Sequence, residues 1–484
     1  MKTIDTPQSK CRFGICRKDI TPPVGIYHRV WGAAVHDRAA GIHRPLLATA
    51  MVFQSDESEP GPESRQVLIA LDHCLLGERE IGTMVDAVVN ASGLARQSVV
   101  VVFSHTHAAG LMSYDRASLP GGERIGDYLE QMNRTVADCV AAALASVEPA
   151  TITYGEGHCD LAANRDLWDA DSEQWVCDFN PDGVADDTVV VARVTGLENR
   201  WLASMVNYAC HPTTLAWQNR QISPDFPGAM RELVEKGTGA PCVFVQGASG
   251  DMGPRYGFVG DAQVADRNGR QLGYAALEVL EGMPPPGTRY AYAGPVVSGA
   301  TIGTWSHVPM PLEQQQRCAV WQVDRQTVPL AYRPELPTVA EVEEDRRRLM
   351  VTEEEARAAG NAGAARDARA LVERKTRLAA RLRALPQGDS FPYEIVAWRV
   401  GDAIWMAFQG EPYNRLQRAL RERFPGTPIL VAALANGWGP SYLPPQESYG
   451  KATYQETVAV LRKGCLEQVM DEARQRIEGM MRGE

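Results

Sequence analysis

The sequence predicts an α/β protein: a mixed β-sheet core flanked by helices, with a metal site at strand carboxyl ends and an inserted helical hairpin. Three observations carry this. First, the run Ser98-Val99-Val100-Val101-Val102-Phe103 is apolar at every position after the serine, as in a strand buried on both faces. It stops at Ser104-His105-Thr106-His107. Second, similar apolar runs alternate with segments of helical spacing along the chain. Third, residues 338–386 are dominated by Ala, Arg, Glu and Leu and carry no strand signal. Gly360-Asn361-Ala362-Gly363 interrupts that stretch, so it reads as two antiparallel helices.

The elements follow in order. Two prolines and a glycine in Asp19-Ile20-Thr21-Pro22-Pro23-Val24-Gly25 dictate an extended, turning backbone. Residues 27–45 carry His28, His36 and His43 without apolar periodicity, which reads as a loop. Strands are expected at 46–53 and 66–71, with an acidic, proline-rich turn at 55–65 between them. A helix fits 78–92, closed by Gly93 as its C-cap. After the Ser98 strand come a helix at 125–147 and a strand near 151–154. Residues 164–188 read as loop. Strands at 188–194 and 202–209 follow, the second ending at Cys210-His211-Pro212. A helix at 226–237 leads to the strand 242–245, which ends in Gln246-Gly247-Ala248-Ser249-Gly250-Asp251. Helix 261–281 closes at Pro284-Pro285-Pro286-Gly287. Beyond the hairpin lie strand 393–400, a Gly401-Asp402 turn, and strand 403–408, with Glu411 beginning a helix (414–424). The last strand (429–434) precedes Asn436-Gly437-Trp438-Gly439-Pro440-Ser441-Tyr442, and a final helix runs from about 454 to 481.

Composition narrows the function. The 484 residues are 44% hydrophobic, ordinary for a globular protein. Sixty acids against 49 bases give a formal charge of −11, which argues against a nucleic-acid partner. No apolar run is long enough to span a membrane. The polar start lacks the apolar core of a secretion signal. The ten cysteines lack CxxC-type spacing and read as reduced, mostly buried thiols of a cytoplasmic protein.

Five apolar strands thus end in small residues plus groups able to bind metal or donate hydrogen bonds. These are His105 and His107, His211, Asp251, Glu411 and the segment 436–442. On a continued strand, His105 and His107 would share a face. The plainer alternative is a hydrogen-bonded histidine pair capping a strand. Two histidines and a carboxylate form a common hydrolytic zinc set with an open position for water. Such a site hydrolyses an amide or ester by metal-activated water, without a protein nucleophile.

The sequence resembles the neutral (non-lysosomal) ceramidase family. The resemblance rests on Asp19–Gly25, Gly41-Ile42-His43, Ser104–His107, Ala163-Asn164-Arg165 and Asn180-Pro181-Asp182-Gly183. It continues through Asn207-Tyr208-Ala209-Cys210-His211-Pro212-Thr213-Thr214, Gln246–Asp251, Gly410-Glu411-Pro412 and Asn436–Tyr442. These motifs keep the family's order from residue 11 to about 470, which defines one catalytic domain (11–470) with the hairpin inserted in it. The resemblance implies one zinc per chain held by His105, His211, Glu411 and Tyr442. It also places His107 and Arg165 in the active site, Arg165 as an oxyanion or carboxylate clamp, with Asp251 as a third catalytic candidate and His43 on the substrate side.

Two departures shape the expectation. The family's catalytic serine position falls on Gly253, and Ser249 occupies a different slot. The family's C-terminal immunoglobulin-like domain has no counterpart here. A smaller, more soluble amide than ceramide is therefore expected. An esterase or lactonase, or a metal-binding relative without catalysis, are the other readings. Trp31, His36, Trp168, Trp217, Arg255 and Tyr256 suggest a small mouth with hydrogen-bonding groups. Arg255, following Pro254, is placed to meet a substrate anion, or else it is a solvent-facing loop residue. The hairpin's dense charge reads as a solvated face, with a lid or a homo-oligomer contact as the alternative.

Overall fold

The computed structural model describes residues 2–56, 61 and 63–483. The expected acidic turn at 55–65 therefore lies partly outside the described residues. An eight-stranded mixed sheet is built from β1 (Gln8–Asp19), β2 (Leu47–Gln54), β3 (Arg65–Leu71), β4 (Val99–Phe103), β5 (Glu148–His158), β6 (Thr188–Thr195), β7 (Trp201–Tyr208) and β8 (Cys242–Gln246). Their spatial order is β8-β7-β6-β5-β1-β2-β3-β4. The pairs β3/β4 and β7/β8 are parallel and the rest antiparallel. A second sheet, β9 (Trp321–Ala331), β10 (Ser390–Val400), β11 (Ala403–Phe408) and β12 (Ile429–Ala432), lies in sequence order with β11/β12 parallel.

The two sheets stack, and the period-2 alternation of strands explains how. Val100 and Val102 join Phe13, Phe53, Trp398 and Trp405 between the sheets. Val99, Val101 and Phe103 face the other way, into a layer with the helices α1 (Glu78–Ser92) and α2 (Ile125–Ala145). Ile81, Met84, Val85 and Val88 form the buried stripe of α1, at helical spacing. Helices α3 (Phe226–Thr238) and α4 (Ala262–Gly282) cover β6–β8 on the same side. Each apolar side chain fully withdrawn from water in these layers contributes about 1.5–3 kcal/mol.

Between β9 and β10 the predicted hairpin is present as α5 (Val339–Ala358) and α6 (Ala362–Ala384). Thr338 and Glu341 form a reciprocal capping box at the start of α5, and Asn361 caps α6. The outer face of the second sheet is closed by α7 (Arg415–Arg423) and α8 (Cys465–Arg482).

Several expectations need correction. Residues 164–188 are not all loop: Asp166–Asp169 and Gln174–Cys177 pair as a short hairpin, Trp168 opposite Trp175. Glu411 does not begin a helix but sits on the two-residue strand Glu411–Pro412, and α7 starts at Arg415. The final helix is two, Tyr454–Val458 and α8, because Leu461 leaves helical geometry to bridge Tyr332. A long hairpin, Thr288–Ser298 with Ala300–Pro309, had no sequence signal; most of its residues are exposed, so neither face shows a clear apolar pattern.

Nor is α5–α6 simply solvated. Ala365, Ala368, Val372 and Ala379 are buried, and Glu373 is buried with them. A Cβ on Gly32 would meet Ala370 Cα at 3.0 Å, so the 27–45 loop lies directly against α6. Glu373 accepts from Arg116 Nη1 at 3.0 Å and Arg377 Nε at 2.8 Å. Burial opposes its charge, but Arg377 and Arg116 override that and bring it down to about 2. A carboxyl lowered on folding stabilises fully above its unfolded pKa and loses that contribution as pH falls through its folded one. Glu373→Gln should therefore cost roughly 2–3 kcal/mol at pH 7. In denaturant titrations the gap to wild type should shrink below pH 4.5 and vanish near pH 2. A gap independent of pH would show that the pair does not act as a charge pair.

Candidate metal centre and its cavity

The carboxyl ends of β4, β7, β8, β11 and β12 converge. Asn207 on β7 bonds Val245 O and Val431 O through its amide and accepts from Val431 N, tying β7, β8 and β12 together. Asn436, just past β12, exchanges hydrogen bonds with the backbone of Val101 on β4.

His105 does not continue β4. Its backbone is left-handed (φ 66°), a conformation uncommon outside glycine. This turn aims Nδ1 at Cys74 O, 2.6 Å away, and Nε2 inward. His211 follows β7 and donates Nδ1–H to Ser249 O at 2.7 Å. Carbonyl acceptors on both Nδ1 atoms fix the same tautomer in the neutral rings, so a cation that displaces the ring proton meets a lone pair on each Nε2. Without one, burial of His105 is outweighed by Cys74 and Glu411, which hold its imidazole up at about 10. Those two Nε2 atoms stand 3.1 Å apart. Glu411 Oε2 lies 3.0 Å from His211 Nε2 and 3.3 Å from His105 Nε2.

Three acceptors facing one another this closely lack a shared proton for every edge. They fit a cation instead. A tetrahedron with bonds of about 2.0–2.1 Å has edges of about 3.3–3.4 Å. Burial drives the His211 imidazole down to about 3, with Arg165 adding to the push, so His211 is neutral as a ligand must be. Burial works against charge on Glu411, yet His105 and His211 hold its carboxyl well below the usual range.

Tyr442 is delivered by register. Its two-residue strand pairs in parallel with Glu411–Pro412, Glu411 beside Tyr442, so both side chains reach the same place. A Cβ on Gly410 would strike Ser441 O at 2.3 Å, so this approach requires glycine there. Arg165 Nη2 donates to Tyr442 OH at 3.1 Å and to Gly250 O at 2.8 Å, and it lies 3.3 Å from His211 Nε2. Arg165 is 4% exposed and has no carboxylate partner among the described residues. His107 Nε2 is 3.4 Å from His105 Nε2. Burial, then His105 and His211, keep it neutral. The same-face geometry expected for the two histidines is thus replaced by a turn that keeps their Nε2 atoms together, with His107 alone reaching the cavity lining.

That cavity, about 510 Å³, is lined at its base by His107, Arg165, Thr213 and Tyr442. Trp31, Trp217 and Phe258 make an aromatic wall, with Trp31 edge-on to both others and 5.2 Å from His107. Helix α6 lines it as well, through Ala370, Leu371, Arg374, Arg377, Leu378 and Arg381.

The other candidates lie elsewhere. Asp251 is buried beneath the site: its carboxylate accepts from Asn414 N at 2.6 Å, and its carbonyl accepts from Arg165 N at 2.9 Å. Burial raises its carboxyl to about 7, Asp166 adding to this. It braces the Arg165 loop without lining the cavity. His43 bonds Ser223 Oγ at 2.9 Å and faces Asp266, behind the Thr106 turn and outside the cavity. Arg255 is half exposed and reaches Asp160 at 3.5 Å. Tyr256 is exposed under Arg267. His36 bonds His28, and Trp168 is on the surface hairpin. Sequence reasoning missed the Cys74 and Ser249 carbonyls and the arginines of α6.

The family model described as neutral/alkaline non-lysosomal ceramidase, N-terminal, matches residues 12–261, more than half of the chain. The chain belongs to this family. It is a hydrolase acting on a carbon–nitrogen bond other than a peptide bond. Among solved structures, the neutral ceramidase from Pseudomonas aeruginosa is similar, with 16% identity and a TM-score of 0.63, covering 98% of this chain and 75% of that one. A ceramidase complexed with C2 matches with the same identity and TM-score, over 96% and 74%. At this identity the structural likeness establishes the mixed α/β fold, as the sequence predicted.

Proposed function

We propose that the chain is a zinc-dependent hydrolase cleaving a linear N-acyl amide of small or moderate size, with water as nucleophile. The observation that carries this is the triangle of His105, His211 and Glu411 acceptors beside a cavity that Arg165, His107 and Tyr442 line. His105, His211 and Glu411 would hold the zinc, with Tyr442 as the fourth contact. Zinc there supplies a Lewis acid that polarises a carbonyl and lowers the pKa of water toward neutrality.

The chain's own residues do the rest. Arg165, fixed by Gly250 O and Tyr442, presents remaining N–H groups to the charge developing on the acyl oxygen. Neutral His107 can take a proton from the attacking water and return it to the leaving nitrogen. The aromatic wall excludes water and receives the acyl chain. A cavity of 510 Å³ suits a drug-sized molecule.

No serine is needed. A Cβ on Gly253 would touch Arg165 Cδ at 3.6 Å, but the chain supplies no hydroxyl there. Ser249 serves through its carbonyl, and its hydroxyl accepts from Gln246. Ser249→Ala should keep kcat/KM within about tenfold, about 1.4 kcal/mol of barrier. An acyl group trapped on Ser249 would instead establish a covalent route.

The reading is tested by incubating the zinc-loaded protein with matched N-acyl amides and esters and identifying products by mass spectrometry. Release of fatty acid and free amine supports it. Cleavage of esters or lactones alone replaces it with the second enzyme reading, and no turnover of any substrate with metal bound points to a binding relative.

A further inference from the structure

Three of the four arginines lining the cavity, Arg165, Arg374 and Arg381, have no carboxylate partner among the described residues, and Arg381 is the least satisfied of them. Among the cavity-lining arginines, Arg377 is bound to Glu373, and Arg374 donates to Thr457 Oγ1 at 2.7 Å. Arg381, one turn further along α6, has no carboxylate partner among the described residues. Its Nη1 donates to Val458 O at a long 3.3 Å, and its Nε is buried without any acceptor. The guanidinium stacks over Trp438 at 5.8 Å. It shares the cavity wall with Tyr442 and Tyr454, whose rings are 5.8 Å apart, and Tyr442 in turn holds Arg165.

A buried donor left unmade is costly, and a guanidinium offers a planar fork matched to a carboxylate. The cavity is lined by four arginines and two acids, and one of those acids, Glu373, is consumed by Arg116 and Arg377. The excess positive charge of this wall lies along α6.

Resting on the amidase reading above, we infer that the substrate is an N-acyl amide whose amine portion carries a carboxylate, bound by Arg381 of the helical hairpin. The aromatic wall takes the acyl chain, the scissile carbonyl lies toward Arg165, and the carboxylate meets the Arg381 fork. Of the two roles the sequence leaves open for Arg255, the structure shows the solvent-facing one, beside Asp160. The hairpin is then the specificity element, and α6 sets which amines are accepted.

The test compares two substrates with one acyl chain, N-dodecanoylglycine and neutral N-dodecanoylethanolamine, in wild type, Arg381→Met and Arg381→Lys. Wild type should favour the carboxylate at least tenfold in kcat/KM. Arg381→Met should bring that ratio near one, mainly through KM for the anionic substrate, and Arg381→Lys should keep part of it. A wild-type ratio of one or less, or a ratio unchanged in Arg381→Met, overturns the inference while leaving amide hydrolysis standing. If neither substrate is cleaved, the reaction reading fails, and calorimetric binding of the same two compounds decides the inference. Tighter binding of the carboxylate, lost in Arg381→Met, upholds it; equal binding overturns it. Should Arg381→Met not fold, the wild-type preference and Arg381→Lys decide alone.

Discussion

Replacing His211 with alanine is expected to strip most of the metal and lower kcat/KM by at least three decades, about 4 kcal/mol of barrier. His211 is fully buried, its Nδ1 fixed by Ser249 O and its Nε2 within 3.1 Å of His105 Nε2 and Glu411 Oε2. The substitution removes one corner of the triangle, and among the described residues the imidazole left beside it and outside the triangle, His107, approaches from the His105 side. It also leaves the Glu411 carboxylate buried with one fewer partner, a costly state. Elemental analysis should fall from about one zinc per chain to a small fraction of that. His158→Ala, on an exposed histidine paired with Asp187, should keep its zinc. Full zinc retention in separate His105→Ala, His211→Ala and Glu411→Ala variants would remove the ligand set from consideration.

The second large effect belongs to Arg165. Arg165→Met should reduce kcat by about 10²–10³, the usual consequence of deleting one preorganised donor to a developing oxyanion, about 2.7–4 kcal/mol. KM should change much less, because the contact strengthens as charge develops. Zinc content should stay near one per chain, which separates this role from ligation. Arg165→Lys keeps the charge but loses the fork that spans Gly250 O and Tyr442 OH, so it should recover only part of the rate. A kcat within threefold of wild type would dismiss the oxyanion role, and loss of zinc alongside the rate would make Arg165 a scaffold of the metal site.

The layers of the fold were readable because buried strands write themselves as uninterrupted apolar runs. Val99 to Phe103 announces a strand covered on both faces, and both sheets and helices cover it. The ends of those runs also marked where His105, His211 and Glu411 would stand, since chemistry accumulates where a buried strand must stop. What the sequence hid has physical reasons. The carbonyls of Cys74 and Ser249 that set the imidazole tautomers are backbone atoms, present at every residue. The left-handed turn at His105 leaves no mark in residue type.

Arg381 was hidden by its company. An arginine-rich helix reads as a solvated face, and only tertiary contact shows that Arg377 is paired and Arg381 is not. Arg255 stood open in the other direction: its place after the Gly-Asp loop allowed either a site contact or a solvent-facing residue, and the backbone leaving Pro254 carries it to Asp160 at the surface. Tyr442 depended on register, and only the pairing of two very short strands fixes its position.

The central claim is metal-dependent amide hydrolysis at the His105–His211–Glu411 triangle. Its most direct test is the rate of N-dodecanoylglycine or N-dodecanoylethanolamine hydrolysis before chelation, after removal of metal and chelator, and during stepwise return of zinc. Activity should vanish in the stripped protein and return linearly, with its break at about one zinc per chain. Stripped protein that hydrolyses the amide at the original rate would contradict the account.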